Sequence, residues 1–413
     1  MAEIWKNIDN DLILLLNGAR QVGKTTLMKM VKEKLFAEKN VQPEQILWFD
    51  LEQAEDLNTW STQIFALSQL PKDDGKKYYL FIDEFQRSET IGSTLKVIHD
   101  HYPHLKTIIT GSASWYLNID ESMAGRKRVI SIWPLDFSEF IEWSEDDKLQ
   151  ALYQTTLKNI SDTPAGIIEL INNHFRLFAN KGGYPKAVLT RDEEVCAKTL
   201  KEIISSYLTR DIKIWNYAAN TLEVKKLLTF LASLSGNLLS LDALSANSGL
   251  GRSVLVNRLE LLQNTFIAHL LQPYFTNKIK EITKSPKIYL IDSGLRNSLL
   301  NNFTVPPQTT EFGHLTKTVV TMELLKNSSV LQQVHFWRTV RKQEVDLVLK
   351  RENNLIPIEV KGGNEKSIPS GLKSFIRQYH PQKAFVLNWS VIQELEYQNC
   401  AVYFRPLWFA DRI

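Results

Sequence analysis

Nine residues, Gly18 to Thr26 (GARQVGKTT), constrain this chain more than any other stretch. An apolar run at 12–16 leads into them. The stretch TLMKMVKEKLFAE follows, with Leu27, Met30, Val31 and Leu35 at helical spacing. Strand, glycine loop and helix form the context a phosphate-binding loop requires. Gly18 is followed by four residues and then by Gly23, Lys24 and Thr25. Gly23 lets the backbone bring several amide hydrogens toward one anion, and the helix N-terminus adds its partial positive charge. On this reading Gly18, Ala19, Arg20, Gln21, Val22, Gly23, Lys24, Thr25 and Thr26 cradle the phosphates of ATP. Lys24 reaches the β- and γ-phosphates and the Thr25 hydroxyl ligates Mg²⁺. The plainer reading is a tight glycine turn into an ordinary helix.

The next landmark is KKYYLFIDEFQ, an apolar strand over 78–82 closed by Asp83 and Glu84. Beside a phosphate loop, a carboxylate at the strand end orders the Mg²⁺ shell and the next one polarises the attacking water. Asp83 is therefore the expected metal-shell residue and Glu84 the expected catalytic base, although acids also end buried strands for no catalytic reason. A further strand over 107–110 ends in Gly111-Ser112. Ser112 or Thr110 there would sense the γ-phosphate, or would simply cap and turn the chain. Arg126, in Gly125-Arg126-Lys127-Arg128, would reach a neighbour's γ-phosphate as an arginine finger in a homo-oligomer, or would belong to a solvated basic surface.

The rest of the chain narrows the class. At 413 residues it has room for two to four domains. A net charge of +3 does not announce a nucleic-acid partner, so any DNA contact must come from local patches. Cys196 and Cys400 lie far apart, which supports neither a disulfide framework nor a zinc site. No apolar run approaches membrane-spanning length, and the first residues have no signal-peptide character. A reduced, cytoplasmic protein without a membrane partner is the expectation.

GARQVGKTT, LFIDEFQ, IITGSAS and SMAGRKRVISIWPLDFSEF, in that order, resemble the prokaryotic AAA-type P-loop ATPase family. The resemblance is to the group whose C-terminal half is a domain of unknown function with a restriction-endonuclease-like fold. It implies an α/β core, ATP with Mg²⁺, and Thr110-Gly111-Ser112 as the region that senses nucleotide. The lead-in before the first strand is shorter than the family's, which leaves the adenine contacts open.

Residues 146–220 read as a helical lid and connector, with KGGYPKAVL forcing a corner at Gly182-Gly183 and Pro185. Tyr184 and Pro185 belong to that corner. Arg210 would touch nucleotide from the lid or pair with a surface acid. Residues 221–304 have the cadence of a winged helix, with a turn at Asn247-Ser248-Gly249. Its third helix would expose Arg252, Asn257 and Arg258 to a DNA groove, or serve packing or dimerisation instead.

In 305–413 Asp346 lies inside an apolar strand, and Glu359-Val360-Lys361 closes the next one with Glu359 and Lys361 on one face. An acid beside Glu-x-Lys is how the restriction-endonuclease-like fold holds a divalent metal, with Lys361 as catalytic lysine. Gln378 would orient a phosphate. The alternation also arises for plain solvation. The family pattern places a glutamate four residues after a glycine on the helix opening this domain. Here Gly313 is followed by Lys317, and a cation there repels a metal.

The whole is expected to be α/β: a P-loop parallel-sheet core over 1–145, then lid, winged helix and nuclease-like domain. The expected function is Mg²⁺-dependent ATP hydrolysis coupled to the later segments, with possible action on DNA. The alternatives are an ATP-licensed, metal-dependent DNA endonuclease and a slow nucleotide switch that scaffolds protein partners.

Overall fold

The computed structural model describes residues 1–112, 123–211, 221–277, 281, 284–307, 309–352 and 354–413; the side chains of Ser112, Arg210, Asp211 and Thr221 also lie outside the description. The chain divides into two compact units. One comprises 1–133 with 210–216 and 264–266, and the other 134–209, 217–263 and 267–413.

The first unit runs α1 (Ala2–Lys6), β1 (Ile13–Gly18), α2 (Lys24–Lys39), β2 (Ile46–Asp50), α3 (Ala54–Thr59), α4 (Gln63–Ser68), β3 (Tyr78–Asp83), α5 (Ile91–His101), β4 (Leu105–Ser112) and β5 (Lys127–Ile132). Its five strands pair in the order β2-β3-β4-β1-β5, all parallel. A parallel sheet is covered on both faces, so its strands are near-continuously apolar. Successive side chains divide between the two sides. Leu14, Leu16, Phe81 and Ile108 join Met28, Val31 and Leu35 of α2. Ile13, Leu15, Leu80, Ile82 and Ile109 join Ile91, Leu95 and Ile98 of α5. Because β4 lies between β1 and β3, the loops leaving those two strands open at the carboxyl edge where such sheets bind ligands.

The second unit begins with helices Phe137–Glu142, Asp147–Lys158, Ala165–Lys181, Pro185–Leu189 and Glu193–Ser206. Gly182 (φ 77°) turns the chain out of the third of them. The corner is held by Asp292, whose Oδ2 accepts the Gly183 N–H at 2.7 Å while its Oδ1 caps the helix Ser293–Leu299 through Leu295 N–H at 2.9 Å. Three helices, Thr221–Ser233, Leu241–Ser248 and Arg252–Asn264, precede an antiparallel pair, β6 (Ala268–Leu271) and β7 (Lys287–Leu290). Gly249, at φ 72°, ends the second of these helices. One expectation here needs correcting. Arg258 is buried, not exposed, because it faces the helix Thr221–Ser233 and pairs there with Glu223 at 3.3 Å.

The long helix Thr310–Asn327 leads into β8 (Gln332–Arg338), β9 (Glu344–Arg351) and β10 (Asn354–Val360), an antiparallel meander. A helix, Ser370–Tyr379, crosses to β11 (Lys383–Asn388), which pairs parallel with β10. The strands β12 (Gln393–Tyr397) and β13 (Cys400–Pro406) complete a sheet ordered β12-β13-β11-β10-β9-β8. Leu372, Phe375 and Ile376 of the crossing helix bury against Val345, Val348, Val386 and Phe404 of that sheet. The segment after β6 is joined to its edge: Tyr274 N–H donates to Phe336 O at 2.5 Å, and Phe336 N–H donates to Gln272 O at 3.2 Å.

Candidate functional site

The loop after β1 enters α2 through Gln21 (φ 62°) and Gly23 (φ 94°), and this left-handed entry is why a glycine stands at the helix N-cap. Lys24, 6% exposed, folds back over the loop, and its Nζ donates to Gly18 O at 3.1 Å and Ala19 O at 2.8 Å. The ammonium is thereby held inside the loop that also carries Ala19, Arg20, Gln21 and Val22. Thr25, on the first turn of α2, donates its hydroxyl to Asp83 Oδ2 at 2.6 Å.

Asp83 ends β3 and is 3% exposed. Its other oxygen, Oδ1, accepts the Glu84 N–H at 3.0 Å and the Thr110 hydroxyl. Thr110 reaches it because β3 and β4 run in register, Ile82 opposite Ile109, which sets the next residues of each side by side. Glu84 stands at φ 50°, off the end of the strand. Burial pushes its carboxyl above the usual range, opposed by the charges of Lys24 and Arg20 and by a hydrogen bond from Gln86 Nε2. Gly111 makes room for this turn. A Cβ there would lie 2.5 Å from Phe85 Cε1 and 2.7 Å from Gln86 Oε1.

The residues named from sequence thus fall into two groups. Lys24, Thr25, Asp83 and Glu84 come together with the loop. Of the two expected sensors, Thr110 is tied to Asp83, while the backbone of Ser112 ends β4 opposite Gly18 and its side chain lies outside the described residues. Arg126 forms a two-pronged pair with Asp100 of α5, Nε to Oδ1 at 2.8 Å and Nη2 to Oδ2 at 3.0 Å. Gln86 was missed; only its place directly after the Asp-Glu-Phe run marks it. The side chain of Arg210 lies outside the described residues.

In the second unit Asp346 is buried on β9 and surrounded by cations. Lys317 Nζ lies 2.5 Å from its Oδ1, Lys287 Nζ lies 3.9 Å from the same atom, and Val360 N–H donates to Oδ2 at 3.0 Å. Burial pushes the Asp346 carboxyl up, and Lys317 and Lys287 more than reverse this, holding it below the usual range. Lys287, 2% exposed on β7, also meets Glu344 at 2.5 Å. Lys361 meets Glu359 at 2.9 Å, and burial together with the Asp346 charge pushes Glu359 up to about 7. No group of three or more His, Cys, Asp or Glu fit to hold a metal ion occurs among the described residues. Gln378 is exposed on its helix. In the three-helix segment Arg252 pairs with Asp242 at 3.1 Å, and Asn257 is exposed.

Residues 10–141 match the family model described as an AAA domain. This part of the chain is an AAA domain. The AAA domain brings the P-loop and the Asp83-Glu84 pair onto one parallel sheet, the fold of a nucleotide-binding ATPase. Residues 172–305 match a domain of unknown function (DUF8612), and 312–403 match another (DUF4143). An uncharacterized protein of Methanocaldococcus jannaschii is 25% identical over 348 residues, 83% of this chain and 73% of that one. An uncharacterized protein of Mycobacterium tuberculosis is 25% identical over 367 residues, 88% and 73% of the two chains. Among solved structures, the ORC2 protein of Aeropyrum pernix in ADPNP–ADP complexes is 11% identical over 65% of this chain and 84% of its own, with a TM-score of 0.35. PCH-2 of C. elegans is 15% identical over 50% and 58%, with a TM-score of 0.30. The family match and the parallel sheet order carry the assignment. No described helix is long and apolar enough to cross a membrane.

Proposed function

We propose that the AAA domain hydrolyses ATP with Mg²⁺, Glu84 acting as general base. The observation that carries this reading is the hydrogen-bonded run Thr25–Asp83–Thr110, with Glu84 on the residue after Asp83. Thr25 and Asp83 offer only oxygen donors, the set that suits Mg²⁺. Held there with the nucleotide, Mg²⁺ would neutralise negative charge on the phosphates.

The chain's own groups do the rest. Gly23 and the start of α2 present amide hydrogens to the phosphates. Lys24 leaves the carbonyls of Gly18 and Ala19 for the γ-phosphate. Glu84, ionised, takes the proton of the attacking water, and Gln86 fixes which way its carboxylate points. Thr110 reports on the site through Asp83, and Ser112 adjoins it along β4. Arg126 serves as a finger toward a second copy once it leaves Asp100; turnover per chain that rises with protein concentration in wild type and is flat in Arg126→Ala supports this role.

The segments 146–220, 221–304 and 305–413 are proposed as lid, winged helix and restriction-endonuclease-like domain, through which ATP turnover acts on a partner. The helix–meander–helix–parallel strand order of the last segment supports its part of this reading. DNA is one such partner, although Arg252 and Arg258 already meet acids within the three-helix segment. The deciding experiment is ATP turnover by wild type, Glu84→Gln and Lys24→Ala, with and without DNA. Turnover lost in both variants while Glu84→Gln still binds ATP supports the proposal. Tight binding with negligible turnover in wild type means a nucleotide switch instead.

A further inference from the structure

A divalent metal at Asp346 and Glu359 is what the nuclease-like reading of the last segment implies, and the side chains present do not fit one. Each oxygen of Asp346 already accepts a hydrogen bond, Oδ1 from the Lys317 ammonium at 2.5 Å and Oδ2 from the Val360 N–H at 3.0 Å. The cations come from three elements: Lys317 from the helix Thr310–Asn327, Lys287 from β7, and Lys361 from the end of β10. They face three acids, Glu344, Asp346 and Glu359, in ion pairs of 2.5, 2.5 and 2.9 Å. Arg338 also meets Glu344, at 3.1 Å, so four cations face three acids and an added dication would stand beside groups of its own sign. In a buried setting that repulsion is weakly screened. One atom points the other way: Glu359 Oε2 is buried without a hydrogen-bond partner among the described residues. A proton on that carboxyl meets the need with no added charge.

We infer that the Lys317 ammonium stands where a divalent metal would have to sit against Asp346, so that this segment holds its buried acids with the chain's own cations and binds no metal there. Lys317 decides the matter because, of the two lysines paired with Asp346, it is the nearer, at 2.5 Å against 3.9 Å, and the one partly open to solvent, 29% against 2% for Lys287. Lys317→Glu would set a third carboxylate beside Asp346 and Glu359 and remove a cation, a change of two charge units toward metal binding. This inference does not depend on the ATPase reading.

The test is Mn²⁺ binding to the full chain without nucleotide, followed by electron paramagnetic resonance of the free ion and by thermal melting. Wild type and Glu359→Gln are expected to give the same isotherm, with melting temperatures indifferent to chelator. Lys317→Glu is expected to gain one equivalent of Mn²⁺ and a higher melting temperature with the ion, both lost in Lys317→Glu/Glu359→Gln. The inference is overturned if wild type binds an equivalent of Mn²⁺ that Glu359→Gln removes, or if a folded Lys317→Glu gains none. Should Lys317→Glu fail to fold, the comparison of wild type with Glu359→Gln still decides whether the native site takes metal, and Lys317→Gln, which removes the cation at similar size, replaces it for the gain.

Discussion

Thr25 and Asp83, 58 positions apart in sequence, are joined by a 2.6 Å hydrogen bond between hydroxyl and carboxylate. The bond fixes the first turn of α2 to the end of β3 and brings together the two oxygen-bearing side chains proposed above to hold Mg²⁺. Thr25→Ala removes the hydroxyl while leaving the loop backbone intact. Mg²⁺-dependent ATP affinity, followed by titration calorimetry, is expected to fall by roughly tenfold or more, as the loss of one charge-assisted hydrogen bond implies. Affinity measured without Mg²⁺ should change little.

Glu84 must be ionised to accept a proton, and burial raises its carboxyl. Turnover is therefore expected to fall as pH drops, with the midpoint of that acid limb above the ordinary range of a glutamate. Glu84→Gln removes the limb together with about 10²–10⁴ of the rate. Gln86→Leu deletes the hydrogen bond that favours the charged form, so the limb should move further up in pH. A pH–rate profile unchanged in Gln86→Leu would show that the contact has no bearing on the base.

Gly182 is the corner of the KGGYP stretch. A Cβ on it would lie 2.3 Å from Asp292 Oδ1, and its φ of 77° is costly for any L side chain. Gly182→Ala is expected to destabilise the second unit by about 1–3 kcal/mol, read by chemical denaturation. Nucleotide affinity at the P-loop should be retained in the protein that remains folded.

Glu323 is buried on the helix Thr310–Asn327 and accepts the Phe137 N–H at 2.9 Å. Burial, opposed by Lys326, pushes its carboxyl up to about 8. Below the ordinary pKa of 4.5 the folded and unfolded chains both hold the proton, so pH has no effect through this group. Between there and about 8 only the folded chain holds it, so stability falls as pH rises across that window. Glu323→Gln should flatten the melting temperature against pH from about 5 to 8, and a slope equal to wild type would sink this assignment.

The P-loop was legible because its chemistry is local. Gly18 to Thr25 must be contiguous for one loop to surround a phosphate, and the strand and helix on either side announce themselves by apolar spacing. The C-terminal acids were legible for a similar reason, since Glu359 and Lys361 share a face through the two-residue strand period. Gln86 escaped notice because an amide shortly after an Asp-Glu pair has no distinctive spacing. Arg258 was misplaced because helical position alone does not say which side of a short helix faces Glu223.

The sequence by itself determined the nucleotide loop, the order of strands and helices that carries it, and the identity of the acids. Only the tertiary structure decided what stands against those acids. Thr110 meets Asp83 because β4 pairs in register beside β3, and Lys287 of β7 meets Glu344 of β9 although the two strands belong to different sheets. A charge acts through space at a few ångströms, whatever the number of residues between its partners, so the sequence names the ions and the fold alone pairs them.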